Sequence, residues 1–142
     1  MAALDSAGNF WVANQDASIS ALDSAGASLA GTPFNTGASG WATSLAIDGQ
    51  NNLWEIVSTF DAGSTTGQDS SLLAFNSSGS PLLGASGHPL SPSTYGNSLA
   101  IDGSGNLWIS DSGRVTEIIG IAAPVVTPTA AAVASNTIST RP

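Results

Sequence analysis

Apolar and polar residues alternate along this chain in short runs closed by small or amide residues, and no helical apolar stripe is sustained anywhere. The clearest run is Ser98-Leu99-Ala100-Ile101, then Asp102-Gly103-Ser104-Gly105-Asn106, then Leu107-Trp108-Ile109-Ser110. It predicts a strand, a tight turn and a second strand. The pattern recurs at 44–54 and, shortened at its front, at 3–12. In each copy a Trp stands six residues after an Asp: Asp5 and Trp11, Asp48 and Trp54, Asp102 and Trp108. The Asp residues are 43 and 54 positions apart. The first spacing matches the roughly 40–45 residues of a four-stranded propeller blade, and the second is one blade plus an insertion.

A second strand–turn–strand follows the first in each complete unit. Residues 18–23 lead through a turn to 27–30, and residues 71–76 lead through another to 80–83. Each complete unit therefore predicts four short antiparallel strands in a meander, the fourth at 27–30 and at 80–83. Five turns share one grammar: Asp5, Asp23, Asp48, Asn76 and Asp102 each precede two small or polar residues and then Gly or Asn. An Asx side chain accepts backbone N–H groups across such a turn, and Gly or Asn tolerates positive φ. The second strands are apolar on both faces, with Phe10 and Val12 against Trp11 and Ala13, as suits a sheet sandwiched between two others. Between units, matched loops carry Pro33, Phe34 and Trp41 in one case and Pro89, Leu90 and Tyr95 in the other. Residues 60–69 form an extra loop in the second unit, on the face where propellers usually meet ligands. Residues 120–142 are rich in Ala, Val, Thr and Pro and read as a tail, extended along the body or disordered.

The run from Ser98 to Asp111, followed by Val115 and Ile118, resembles an NHL-type repeat, and is closer still to bacterial propellers of the NHL and streptogramin-lyase-like group. The resemblance covers the blades, approximately 1–43, 44–97 and a partial unit at 98–119, with the tail at 120–142 matching less. It implies an all-β fold of about three β-propeller blades in an incomplete ring. A closed propeller needs about 4–8 blades. The expectation is a C-terminal portion of a longer propeller, or a short chain that associates with itself; two copies would supply six blades. The resemblance and the composition further imply an exported bacterial protein, extracellular or periplasmic, although no signal peptide is visible.

Composition narrows the partners. Ten acidic residues face only two basic ones, Arg114 and Arg141, for a net charge of −8. That balance argues against nucleic acid and anionic membrane surfaces. With no cysteine there is neither a disulfide framework nor a thiolate metal site. No stretch approaches the roughly 18 apolar residues of a membrane span.

The resemblance to streptogramin lyases implies paired His and Glu side chains with a divalent metal. This chain has one His, His88, and two Glu, Glu55 and Glu117, in different units, so no catalytic set can be carried over. Asp102, Ser104 and Asn106 mimic the opening of a calcium loop but lack its Gly at the sixth position and its bidentate Glu at the twelfth. The three repeated Trp residues read as packing between blades. The residues thus nominate no catalytic group, metal or cofactor. The expected function is a non-enzymatic scaffold or binding surface for an unspecified ligand or protein, with Trp41, His88 and Tyr95 as candidate recognition residues. The alternative is part of a streptogramin-lyase- or lactonase-like enzyme whose site lies mostly in other blades.

Overall fold

A computed structural model describes residues 1–60, 68–84, 87–90, 96–111 and 113–125. Among them there is no helix, and eleven strands form three separate antiparallel sheets. The first sheet runs β1 (Ala2–Leu4), β2 (Phe10–Ala13), β3 (Ser18–Leu22), β4 (Phe34–Asn35). The second runs β5 (Trp41–Ile47), β6 (Leu53–Phe60), β7 (Gln68–Phe75), β8 (His88–Pro89). The third has β9 (Ser98–Ile101), β10 (Leu107–Ser110) and β11 (Val115–Ile118). Each is a simple meander and none closes on itself, which is the architecture of incomplete propeller blades.

Hairpin turns set the register. In all five, the Oδ1 atom of the Asx residue accepts the backbone N–H groups two and four residues on: Ala7 and Asn9, Ala25 and Ala27, Gln50 and Asn52, Ser78 and Ser80, Ser104 and Asn106. The residue three after the Asx has positive φ each time, as Gly8, Gly26, Asn51, Gly79 and Gly105. One turn chemistry therefore builds both hairpins of a blade.

The sheets stack face to face, with the first strands β1, β5 and β9 side by side. Alternation along β6 decides what meets what. Leu53 and Val57 pack toward the first sheet with Trp11, Ala13, Ile19 and Ala21. Trp54 and Ile56 pack toward the third with Leu99, Leu107 and Ile109. Side chains stitch the inner strands across the gaps: Ser44 Oγ accepts the Leu99 N–H at 2.9 Å, and Thr43 Oγ1 donates to the Gly96 carbonyl at 2.8 Å. Thr43 can reach out because the pairing of β5 with β6 skips a residue between Ala42 and Ser44.

The fourth strands differ from the expectation. Residues 27–30 and 80–83 contribute only single bridges, Leu22 to Ser28 and Phe75 to Pro81. The outer strands lie further along, where Phe34 pairs with Ile19 and His88 with Leu72. Phe34 is drawn in by packing, its ring 5.6 Å from that of Phe75. Stretches read from the sequence as inter-unit loops are thus edge strands. The insertion also differs, since β6 and β7 stay paired out to Phe60 and Gln68, leaving residues 61–67 outside the described part.

The tail is ordered at its start. The Gly120 N–H reaches Asn106 Oδ1, the Ala122 N–H the Gly105 carbonyl, and the Ala123 N–H Asp48 Oδ2, while the Gly49 N–H donates to the Ala123 carbonyl. Residues 120–125 therefore cross from the first turn of the third sheet to the first turn of the second. A Cβ at Gly49 or Gly105 would collide with this backbone, so both positions need Gly for close approach.

Candidate functional site

The most conspicuous sequence motif turns its carboxylate onto its own indole. In every copy the second carboxylate oxygen of the turn Asp accepts the indole N–H six residues on: Trp11 at 2.9 Å, Trp54 at 3.0 Å and Trp108 at 3.1 Å. The same oxygen accepts the side-chain amide of Asn9, Asn52 or Asn106. Burial opposes ionisation of Asp5 and Asp48, yet these bonds, the indole's foremost, outweigh it and hold both carboxyls below the usual value. Asp102 is lowered to about 2, chiefly by the Trp108 bond. The constant Asp–Trp spacing is thus a hydrogen-bond length through the hairpin, which the sequence reading treated only as turn and packing.

The three Trp residues differ in their surroundings. Trp11 and Trp54 are each 2% exposed, covered by the next sheet, whereas Trp108 is 38% exposed on the outer face of the third. The opposite end of the stack is open too, with Leu4 and Phe10 exposed on the first sheet where Ile47 and Leu53 are covered in the second.

Two of the nominated recognition residues, Trp41 and His88, stand on opposite edge strands of the second sheet. Trp41 opens β5 and packs against Phe60 with ring centres 4.7 Å apart and planes tilted by 47°, and Phe60 is exposed. Tyr95 lies outside the described residues. His88 is on the edge strand β8 and faces a cleft between the second and third sheets. That cleft, about 220 Å³, is bordered by His88, Leu90, Ile109, Arg114, Thr116 and Ile118. Arg114 is mostly exposed, and its Nε lies 3.5 Å from Asp111 Oδ2. The Asp111 carboxylate also accepts the Gly113 and Arg114 backbone N–H groups, which hold its pKa below normal.

One carboxylate set aside in the sequence for want of a partner has unusual surroundings. Glu55 is wholly buried on β6, paired with Leu45 and Leu73, and neither of its oxygens has a hydrogen-bond partner among the described residues. Burial pushes its carboxyl up to about 8, with the Met1 amino group pulling the other way. The signal was available: its register equivalents in the sister copies are Val12 and Ile109. Glu117, by contrast, is exposed on β11. Among the described residues, no three His, Asp or Glu side chains converge as a metal site would require. No protein-family model matches the chain, and no curated protein matches it.

Proposed function

We propose that the chain is a non-enzymatic segment of an NHL-like, exported bacterial β-propeller, serving as a scaffold and binding surface. One observation carries the reading: the third copy of a residue that is sealed twice by a following sheet stands open, as Trp108. The polar atoms of the repeated motif are taken up by its own hairpins and by the 120–125 crossing, so the motif supports stacking rather than chemistry. The occupant that fits the Trp108 face is the Leu4 and Phe10 face of a second copy, because it continues the two stacking interfaces already inside the chain. Two copies joined head to tail at both ends would bring six sheets together, within the roughly 4–8 of closed propellers.

Sedimentation of the whole chain tests this. The expected result is a concentration-dependent dimer that Trp108→Lys converts to monomer. A folded monomer at every concentration, with Trp108 emission characteristic of water contact, would overturn it.

A further inference from the structure

The cleft between β8 and β11 brings together nitrogen-bearing side chains that are scarce in this chain. His88 is the sole histidine of the sequence, and Arg114 is one of two arginines in a chain of net charge −8. They come from different sheets, 26 positions apart, and meet only because the outer strand β8 lies beside the third sheet. Period-two alternation on β11 places Thr116 and Ile118 on the cleft side with Arg114, whereas Val115 and Glu117 take the other face. Asp111 is the acidic partner of Arg114, and it contacts the Nε atom, leaving the terminal amino groups of the guanidinium for another acceptor. It holds the fork rather than occupying it. Below the polar rim the floor is apolar, formed by Leu90, Ile109 and Ile118.

We propose that this cleft binds a small organic carboxylate with an apolar body, such as an aryl or branched-chain acid. A planar guanidinium matches a carboxylate in a two-point contact. His88 and Thr116 supply further donors on the same rim. The volume of about 220 Å³ exceeds the roughly 150 Å³ that accommodates a benzene ring, which leaves room for the ring and its acid group. This site lies between sheets of one chain and does not depend on either outer face, so it stands or falls separately from the stacking reading.

The test is a titration of the whole chain with phenylacetate, followed through the methyl resonances of Leu90, Ile109 and Ile118. Saturable shifts at these methyls, with millimolar or tighter binding, are expected. Arg114→Gln should weaken binding about tenfold or more, with an unchanged melting temperature because the side chain is exposed. On the unaltered chain, 2-phenylethanol, which keeps the ring without the charge, should bind about tenfold more weakly than phenylacetate. Equal affinity of the two probes, unaltered binding by Arg114→Gln, or no shift up to roughly 20 mM would overturn the proposal.

Discussion

The interface between the first and second sheets and the interface between the second and third are built by equivalent strands, yet one of them holds a carboxylate where the other holds an isoleucine. Glu55 sits between Leu45 and Leu73 with no hydrogen-bond partner among the described residues, whereas Ile109, its equivalent one unit later, fills an apolar site. Both are sealed from water. The pair shows that the blade framework tolerates a buried ionisable group at this position, and that toleration is bought through neutralisation: a carboxyl raised to about 8 is protonated at neutral pH. The first interface is therefore the one whose stability depends on the titration of Glu55.

Transplanting the carboxylate should have the largest effect. Ile109→Glu places an acid in the apolar floor of the second interface, below Arg114 and His88, and removes aliphatic packing, and we expect a loss of about 4 kcal/mol at pH 7, measured by urea unfolding. A loss under about 1 kcal/mol would show that the second interface is already wet.

The reverse exchange sharpens the comparison. Glu55 is raised in the folded chain from 4.5 to about 8, so folding favours its protonated form. Its contribution is fully present below pH 4.5 and falls away as the pH rises through 8, because the unfolded chain loses its proton first. Glu55→Ile should raise stability by about 3 kcal/mol at pH 7 and flatten the decline across that window. A variant that keeps the same slope between these pH values would place the titration elsewhere.

A smaller contrast separates the two ends of the motif. Trp54→Phe removes a buried indole N–H from Asp48 and should cost about 2 kcal/mol. Trp108→Phe should cost less, since water replaces the lost donor at Asp102. Thermal unfolding of both variants measures the difference, and equal losses would mean that Trp108 is covered in solution.

Much of this organisation could be read from the residues, and for a local reason. The Asx turns and the strands flanking them depend on contacts within six positions, so their grammar survives in the bare sequence. The outer strands do not. Residues 27–30 look as strand-like as Phe34 and Asn35, and only the fit of Phe34 against Phe75 on the neighbouring sheet decides between them. The same non-local choice hid the meeting of His88 with Arg114. Glu55 was visible as an oddity beside Val12 and Ile109, but its burial needed both sheets in place.

The path of residues 120–125 bears on the order in which the chain becomes stable. Ala123 closes onto Asp48 across 75 positions, after every intervening strand has to be placed. Such a contact forms late and opens early unless it is coupled to the body. Ala122 is buried in the same cluster as Trp54 and Leu107, so the coupling exists. The short crossing therefore acts as a latch between the second and third sheets, and hydrogen exchange at the Gly49 and Ala123 amides would report how firmly those two sheets are held together.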